Sequence, residues 1–288
     1  MKFVPSSVLV NDAFERGYAV PAFCAWDNFV FEAAFTAASE LSAPIMTMQG
    51  PGWLKVTAAD LIVNVGEAVL DCSPVPAAIH LDHAGSIDLV SRCLNAGYTS
   101  VMLDFSTRSL EENVEGLRQV VELAAETGAT VEGELGAVGR FSTSGEKGGE
   151  EELTDPQAAA EFVQETGIDM LAVSIGNVHG IYTGLPELDF SRLEQIRQKT
   201  GIPLVLHGGS STPVEDLQKV ISHGISKVNV CTEFVIAVQD AMLEDLQKDD
   251  RPWMTGTIKK VRDLLKEEFK RWIVACKADG KAEGLAGS

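Results

Sequence analysis

The stretch Ile79-His80-Leu81-Asp82-His83-Ala84 decides how the rest of the chain is interpreted. The apolar run 75–79 that leads into it predicts a short buried strand. Neighbouring residues on a strand point to opposite faces, so Asp82 and His83 can serve one site only if the strand ends there. Strand carboxyl ends are where α/β enzymes place their chemistry. The alternative is a helix-capping aspartate beside a surface histidine, and the other strand ends distinguish the two.

Short apolar runs alternate with helix-length amphipathic segments along the chain. Eight runs predict strands, at residues 18–24, 44–48, 75–81, 99–103, 130–135, 170–174, 202–206 and 227–230. The segments between and after them predict helices, at residues 29–41, 58–70, 87–96, 110–126, 156–165, 190–199, 213–222 and 233–246. Eight such units are typical of a (β/α)8 TIM barrel, whereas an open doubly wound sheet more often has five or six strands. We therefore expect an α/β protein with one (β/α)8 barrel domain over residues 1–288 and a C-terminal helical extension at about 253–277.

Two of these helices have recognisable start signals. Asp155 before Pro156 predicts an N-cap followed by proline at the first helical position. Ser191 and Glu194 have the spacing of a capping box and predict the start of the helix at 190–199.

The composition describes a globular protein with a large core and narrows its environment. Hydrophobic residues make up 45% of the 288 residues and mean hydropathy is +0.07, yet no run approaches the ~18 apolar residues of a membrane helix. Residues 1–5 lack a signal-peptide pattern, and five cysteines without CxxC spacing indicate free thiols in a reducing cytoplasm. A formal net charge of −19 opposes binding to nucleic acid or anionic membranes. An anionic substrate would therefore need backbone N–H groups, a metal or a few basic side chains to hold it.

The predicted barrel makes the strand ends a test of where the chemistry lies. Three of the five histidines, His83, His179 and His207, follow strands three, six and seven. Three histidines from three strands suit a zinc ion with an open fourth position, as in catalytic zinc sites. The alternative is three unrelated structural histidines. Of the other two, His80 is expected to be packed or to support a ligand, and His223 to cap a helix C-terminus.

Glycine-rich or polar segments follow strands seven and eight, the usual barrel site for a phosphate. These segments are Gly208-Gly209-Ser210 and Asn229-Val230-Cys231-Thr232. Glycines let backbone N–H groups approach an anion, and a predicted helix N-terminus follows each segment. The sequence therefore predicts an anion site at this edge of the barrel.

Carboxylates also face into the predicted barrel. Glu132 and Glu134 alternate onto one face of strand five, and Asp104 ends strand four. Inward carboxylates need a cation, a proton or hydrogen-bond donors. For Glu132 we expect a salt bridge with Lys227 in a lower layer. Asp104 and Glu134 lie nearer the top and are expected to contact a histidine or to form a second cation site.

In combination and order, the motifs of this chain resemble those of the class II, zinc-dependent ketose-bisphosphate aldolases, which include fructose- and tagatose-bisphosphate aldolases. The resemblance extends over nearly the whole chain. Its motifs are Tyr18-Ala19-Val20-Pro21-Ala22-Phe23, Leu81-Asp82-His83, Ser100-Val101-Met102-Leu103-Asp104, Glu132-Gly133-Glu134-Leu135-Gly136, Gly176-Asn177-Val178-His179-Gly180-Ile181-Tyr182, Leu206-His207-Gly208-Gly209-Ser210 and Val228-Asn229-Val230-Cys231-Thr232-Glu233.

The resemblance implies a zinc-dependent aldolase, a carbon–carbon lyase that reversibly cleaves a ketose 1-phosphate or ketose 1,6-bisphosphate to dihydroxyacetone phosphate and an aldehyde. It makes Asp82 the catalytic acid/base. The zinc (Zn2+) ligands that it implies are His83, His179 and His207. The groups that it implies for dihydroxyacetone phosphate are Gly180, Gly208, Gly209, Ser210, Asn229 and Thr232. Asp104 and Glu134 match carboxylates at an alternative metal position, able to take a second or monovalent cation.

A mobile loop whose glutamate protonates the carbanion is a further implication of the resemblance. The segment 136–154 matches this loop, and its length and glycines suit a lid. Its candidate proton donors are Glu146, Glu150, Glu151 and Glu152. For at least three of these four the alternative is a solvated acidic loop.

Several positions depart from the family pattern. Cys24 stands where asparagine is common, Gly50-Pro51-Gly52 where a serine often meets the substrate, and Ala84 where Gly, Cys or His is more familiar. Ser211 replaces the frequent glycine after His-Gly-Gly-Ser. The end of the pocket that receives the aldehyde is therefore altered, and the substrate is expected to differ from an ordinary hexose bisphosphate.

Two other functions compete with the aldolase. A zinc-dependent barrel hydrolase acting on a phosphorylated small molecule commonly has a His-x-His pair after strand one, where this chain has Phe23-Cys24-Ala25-Trp26. A metal-retaining binding or assembly protein would have no need of Asp82 beside zinc. The expected partners are a phosphorylated ketose, no nucleic acid and no membrane. We also expect a homodimer or higher homo-oligomer, with the C-terminal helix and an exposed Trp253 or Trp272 at its interface.

Overall fold

Parallel strands form the centre of the structure, a computed structural model that describes residues 2–141, 147–148, 152–180, 187–210, 212–248 and 251–285. The strands in these residues are β1 (Val20–Cys24), β2 (Ile45–Gln49), β3 (Ala77–Ala84), β4 (Ser100–Leu103), β5 (Thr130–Leu135), β6 (Gly139–Phe141), β7 (Lys147–Gly148), β8 (Met170–Val173), β9 (Val178–His179), β10 (Leu204–Leu206) and β11 (Ile225–Val230). Eight of them close a barrel in the order β1-β11-β10-β8-β5-β4-β3-β2, with neighbours parallel. The predicted α/β TIM-barrel fold is confirmed. The other three form a small sheet in the order β7-β6-β9.

Helices lie between and around the barrel strands. They are α1 (Ser6–Arg16), α2 (Asn28–Glu40), α3 (Ala59–Cys72), α4 (Ile87–Ala96), α5 (Leu110–Ala125), α6 (Pro156–Thr166), α7 (Phe190–Thr200), α8 (Val214–Ser222), α9 (Thr232–Lys248) and α10 (Met254–Ala275), with a short 3-10 turn at Trp53–Lys55. Every predicted helix is present, and α4 has the predicted bounds. In the described part of the chain, no helix combines the length and apolar character needed to cross a bilayer.

The helix α1, which the sequence analysis does not predict, closes the amino end of the barrel. Leu9 and Val10 are fully buried. At the helix start, the Ser6 hydroxyl donates to Ser100 Oγ at 2.8 Å, and the Ser7 backbone N–H donates to Thr130 Oγ1 at 2.8 Å. Ser100 and Thr130 are the first residues of β4 and β5. The apolar face of α1 is short, because many of its contacts with the barrel are hydrogen bonds. The sequence pattern of this helix is therefore weak.

The start of α7 differs from the predicted capping box. Asp189 is the N-cap, and its carboxylate accepts a hydrogen bond from the Arg192 N–H at 2.9 Å. The prediction that Ser191 caps this helix is wrong, because Ser191 already lies inside the first turn and the aspartate before the helix satisfies the free donor. Asp155 caps α6 as predicted, accepting from two first-turn N–H groups at 2.9 Å each.

The C-terminal helix α10 packs against α2 and β1. Phe269 of α10 stacks on Phe23 of β1, with ring centroids 4.4 Å apart. Trp272 is only 2% exposed, so the prediction that it is available for a subunit contact is wrong. Its ring completes the core between α10 and the barrel. Trp253, just before α10, is 82% exposed.

A buried ion pair lies inside the barrel. Lys227 Nζ donates to Glu132 Oε2 at 2.7 Å, and both side chains are fully buried. The predicted salt bridge is therefore confirmed. His80 is also fully buried, with Nδ1 2.7 Å from Ser100 Oγ, as expected for a packed histidine.

Changing Lys227 to Met is expected to lower the free energy of unfolding by about 3–5 kcal/mol, because Glu132 would keep a buried charge without its cation. Denaturant unfolding with a chelator present measures this without a contribution from bound metal. The matched control is Lys259→Met, which breaks a pair of similar length, 2.8 Å, whose side chains are 70% and 49% exposed. The control should change stability little, because water screens exposed pairs. A loss in Lys227→Met no larger than in the control would contradict the buried pair's structural role.

Candidate active site

The carboxyl ends of the barrel strands surround a cavity of about 420 Å3. Its lining residues are Met48, Asp82, His83, His179, Gly180, Gly208, Ser210, Asn229, Cys231 and Thr232. Two other described cavities, of about 360 and 490 Å3, lie between outer helices and contain no histidine. The structure therefore brings nearly all of the predicted site residues to one place.

The end of β3 lets the adjacent residues Asp82 and His83 reach the same cavity. The sequence predicts that this strand ends at residue 81, but β3 continues to Ala84 with a shift in its pairing to β4 between Leu81 and Ala84. His83 has a φ of 49°, in the left-handed region that non-glycine residues rarely adopt. This irregularity breaks the alternation of side chains, so termination of the strand is not required. Such backbone strain is typical of functional sites.

The three predicted ligand histidines lie together, with His83 and His179 in the lining of the cavity and His207 buried against His83. His83 Nε2 lies 3.2 Å from His179 Nε2 and 3.0 Å from His207 Nδ1. One ligand atom from each of the three residues lies within 4.8 Å of the other two. Residues far apart in the sequence therefore converge as the barrel prediction requires.

Two carboxylates hold the outer nitrogens of these rings. His83 Nδ1 lies 2.7 Å from Asp104 Oδ2, and His207 Nε2 lies 2.7 Å from Glu132 Oε1. Asp104 is itself fixed by the Ser106 hydroxyl, which donates to Oδ1 at 2.7 Å. Carboxylates accept hydrogen bonds, so both outer ring nitrogens carry hydrogen. The inner nitrogens of His83 and His207 then direct lone pairs toward each other and need a cation or a proton between them. Zinc-binding histidines have this arrangement, with the far N–H held by a carboxylate, so the residues present fit a zinc ion.

The electrostatics of the cluster also favour a cation. Burial lowers the pKa of His83, but Asp82, the hydrogen bond to Asp104 and the charge of Glu134 outweigh it and raise that pKa to about 9. Burial and the neighbouring His83 hold the pKa of His207 well below its usual value. The carboxylates around His83 therefore stabilise one positive charge at the centre of the cluster.

A second group of possible metal ligands shares His83 with Asp104 and Glu134, whose ligand atoms lie within 4.8 Å of one another. Glu134 is buried, and its Oε2 lies 3.5 Å from His207 Nδ1 without a hydrogen bond to any described residue. Burial raises the pKa of Glu134 to about 8, with further upward contributions from Asp104 and Glu132 and an opposing one from His83. This geometry matches the alternative cation position expected from the sequence.

Asp82 is held apart from the histidine–carboxylate contacts. Its Oδ1 accepts a hydrogen bond from Asn229 Nδ2 at 3.0 Å. Asn229 was expected from the resemblance to hold the substrate phosphate, and the structure places its amide on the carboxylate of Asp82. Asp82 thus has a fixed orientation in the cavity, set by its contact with Asn229.

The glycines after β10 are required by close backbone packing. Gly208 has a φ of 66°, and a Cβ built on it would lie 2.0 Å from the Val178 carbonyl oxygen. A Cβ on Gly209 would lie 2.6 Å from Val228 Cγ1 and 2.8 Å from the Asn229 carbonyl oxygen. Substitution of either glycine would therefore disturb the loop itself, and would be a poor test of phosphate binding.

Ser210 joins this loop to the start of α9. Its Oγ accepts hydrogen bonds from the Cys231 and Glu233 N–H groups, at 3.4 and 3.3 Å. Thr232 is the first residue of α9, and Gly180 follows β9 at the other side of the cavity. The anion site predicted at this edge therefore has a helix N-terminus within it, where backbone N–H groups favour negative charge.

Part of the predicted lid lies outside the described residues, namely Glu146, Glu150 and Glu151, as do Ile181, Tyr182 and Ser211 of the other motifs. Glu152 is described, and its backbone forms two hydrogen bonds with that of Ala137, at 2.9 and 3.1 Å.

Sequence reasoning did not single out two supporting residues. The Asn177 side chain accepts from the Ile175 N–H at 2.9 Å and donates to the His207 carbonyl at 3.0 Å. Ser106 fixes Asp104 as described above. Ser106 lies two residues after its partner Asp104, so the local sequence could have indicated it. The contact of Asn177 with the His207 carbonyl joins distant parts of the chain, and no local pattern reveals it. For Glu132 the signal was present, because Lys227 was expected opposite it, but its contact with His207 was not foreseen.

A closed parallel barrel with a histidine–carboxylate cluster at its carboxyl end is typical of a barrel enzyme, and the cluster could hold a metal ion. Comparison with known families makes this specific. The family model described as fructose-bisphosphate aldolase class-II matches residues 4–281. The chain belongs to that family, and it is a lyase with aldolase activity.

Solved structures agree with this assignment. The YdjI aldolase from Escherichia coli K12 is 31% identical, with a TM-score of 0.86, over 98% of this chain and 100% of that one. A putative fructose-1,6-biphosphate aldolase from Coccidioides immitis is 30% identical, with a TM-score of 0.84, over 96% of each chain. The fructose-bisphosphate aldolase of Campylobacter jejuni shares the fold, with a TM-score of 0.80 at 21% identity over 97% of each chain.

Proposed function

We propose that this protein is a zinc-dependent aldolase that reversibly cleaves a ketose 1-phosphate or ketose 1,6-bisphosphate to dihydroxyacetone phosphate and an aldehyde. The observation that carries the proposal is the close approach of His83, His179 and His207, next to a cavity that Asp82 also lines while its carboxylate is held by Asn229. The hydrolase alternative has lost its support, because the chain belongs to an aldolase family.

The proposed division of labour follows from the contacts. His83, His179 and His207 hold Zn2+, which supplies Lewis acidity next to the substrate carbonyl. Asp82 removes the proton from the C4 hydroxyl during cleavage and returns it during condensation, with Asn229 keeping the carboxylate aimed. The Asp104 and Glu132 carboxylates orient the histidine rings. Asp104 and Glu134 also form the proposed position for a second or monovalent cation.

We place the phosphate of the substrate at the edge formed by Gly180, Gly208, Gly209, Ser210 and Thr232. The start of α9 lies at this edge, where the positive end of the helix dipole favours an anion. Asn229 acts indirectly, by orienting the Asp82 carboxylate. The proton for the carbanion comes from a glutamate of the segment 136–154, among Glu146, Glu150, Glu151 and Glu152.

The preferred substrate is proposed to differ from fructose 1,6-bisphosphate. Among the described residues, the lining of the cavity contains no lysine or arginine. A second phosphate at the aldehyde end would therefore meet no cationic side chain among these residues. Cys24, Gly50 and Ala84 also change that end relative to the family pattern.

A coupled assay for dihydroxyacetone phosphate across ketose 1-phosphates and 1,6-bisphosphates tests both statements. We expect release of dihydroxyacetone phosphate from at least one ketose phosphate, with a higher kcat/KM than for fructose 1,6-bisphosphate. Absence of release from the whole panel would overturn the proposed reaction. The highest kcat/KM on fructose 1,6-bisphosphate would overturn only the proposed preference.

We also propose a cytoplasmic homodimer or higher homo-oligomer. Trp253 is exposed near Leu246 and Met254, which are 55% and 59% exposed. Such apolar exposure is typical of protein contact surfaces. Light scattering of the zinc-loaded protein measures the number of chains in the particle, and a monomer at micromolar concentration would contradict this proposal.

A further inference from the structure

Two cysteines lie side by side at the ends of neighbouring strands. β1 pairs with β11 in the register Phe23 with Val230, and continuing it by one residue sets Cys24 beside Cys231. Phe23 packs outward against Phe234 and Phe269, so the next side chain, Cys24, faces into the barrel.

The Cys231 side chain faces the same interior. Asn229 points inward to Asp82, and Cys231, two residues later, lines the cavity. Neighbouring strands lie about 4.8 Å apart, which is within the roughly 4.4–6.8 Å between Cα atoms that a disulfide spans. The strand register and the contact between the two thiols therefore place them within reach of a disulfide.

Their surroundings differ in a way that gives them separate roles. Cys24 is 4% exposed, whereas Cys231 is half-buried at the cavity wall and open to a small oxidant. The Cys231 thiol and burial raise the pKa of Cys24 well above its usual value, so Cys24 stays protonated. Cys93 is buried in α4 and Cys276 is buried at the end of α10, whereas Cys72 is exposed on α3.

We propose that Cys24 and Cys231 form a reversible disulfide when a peroxide reaches the cavity, and that this disulfide inactivates the site. Cysteine pairs of cytoplasmic proteins that oxidise are usually transient and regulatory. The loss of activity rests on the proposed aldolase function, but formation of the bond does not.

The chemistry balances with hydrogen peroxide as the oxidant. The Cys231 sulfur, as thiolate, attacks one peroxide oxygen; an S–O bond forms, the O–O bond breaks, and the leaving hydroxide takes a proton to become water. The Cys24 sulfur then attacks the sulfenic acid as its thiol proton is lost, an S–S bond forms, and a second water leaves. Two thiols lose two electrons, and one peroxide becomes two waters. A dithiol reductant reverses the change.

A bond at this position would act on both halves of the site. The Cys231 N–H donates to Ser210 Oγ at 3.4 Å, so a pull on Cys231 toward β1 shifts the start of α9 and the anion edge. The neighbouring Asn229 holds Asp82, so the same pull moves the proposed base. We therefore expect both weaker phosphate binding and slower proton transfer.

The test treats the zinc-loaded full-length protein with hydrogen peroxide, followed by alkylation of remaining thiols and peptide mapping by mass spectrometry. We expect the titre of free thiols at Cys24 and Cys231 to fall together, a Cys24–Cys231 cross-linked peptide to appear, and dithiothreitol to restore both. Cys24→Ser should leave a sulfenic acid on Cys231 that a dimedone probe labels. The matched control Cys72→Ser removes the exposed thiol outside the cavity and should form the same cross-link as wild type.

Two outcomes would overturn the proposal or part of it, and a third would overturn only the proposed function. Absence of the cross-linked peptide when Cys72 is already oxidised would show that the pair is not redox-active. A cross-link without loss of aldolase activity would remove the inactivation. A cross-link in a protein that releases no dihydroxyacetone phosphate from any ketose phosphate, even when reduced, would leave the disulfide standing and sink the proposed function instead.

Discussion

Replacement of Asp82 by Asn is expected to lower the rate of cleavage by roughly 10²–10⁴-fold, the usual contribution of general acid–base catalysis. Asparagine is nearly isosteric, and its carbonyl oxygen can still accept the hydrogen bond from Asn229 that Asp82 Oδ1 accepts at 3.0 Å. The amide cannot take a proton, so the geometry should survive while the base is lost. Zinc content and the unfolding transition should therefore match those of wild type.

The same variant separates two proton transfers. Exchange of a dihydroxyacetone phosphate proton with deuterium from solvent should suffer less than cleavage, because a glutamate of the segment 136–154 is proposed to perform it. Asp88→Asn is the control, since Asp88 lies on the outer surface of α4 in an exposed pair with Arg92. If exchange and cleavage fell equally with zinc intact, one residue would serve both steps and the proposed division would be wrong.

The second large effect is expected from the metal ligands. Chelation should abolish activity reversibly, and His83→Ala should bind less than one zinc per chain, because one of three converging ring nitrogens is gone. Metal analysis gives the zinc content. The rise of Tm with added zinc gives an independent readout, since a metal that binds only the folded chain stabilises it.

His223→Ala is the matched control for the metal experiment. His223 is a half-buried histidine at the end of α8, with Nδ1 2.8 Å from the Lys219 carbonyl oxygen, and it is not among the residues that line the cavity. It should keep full zinc content and activity. Full activity of wild type after thorough metal removal would refute zinc dependence, whatever the variants do.

Much of the barrel could be predicted because its strands are buried on both faces and therefore stand out as apolar runs. The strand ends then located His83, His179 and His207 without any local motif, since a closed barrel brings all carboxyl ends together. The same logic placed Lys227 opposite Glu132. The pattern of strands and helices was thus enough to predict which distant residues of these regular elements lie together.

Irregular backbone conformations could not be predicted from the sequence in this way. The left-handed φ of His83 directs Asp82 and His83 into one cavity. It depends on the pairing of β3 with β4, and the residue type at position 83 does not reveal it. Ser191 matched a capping pattern, but the helix begins one residue earlier and Asp189 is its N-cap. Trp272 sits on a charged helix, so its burial follows from the docking of α10 and not from its neighbours in the chain.

The small sheet bears on how specificity can change during evolution. Residues of β6 pair with β9 in parallel, with Gly139 beside Val178 and Arg140 beside His179. Part of the segment 136–154 is thus paired with the strand that carries the proposed ligand His179. A loop that also positions a ligand is not an independent module. Grafting this loop from a relative with another substrate would also change the position of His179. Successful exchanges should therefore include both β6 and β9. New specificities in this lineage should arise more readily by single substitutions at the aldehyde end.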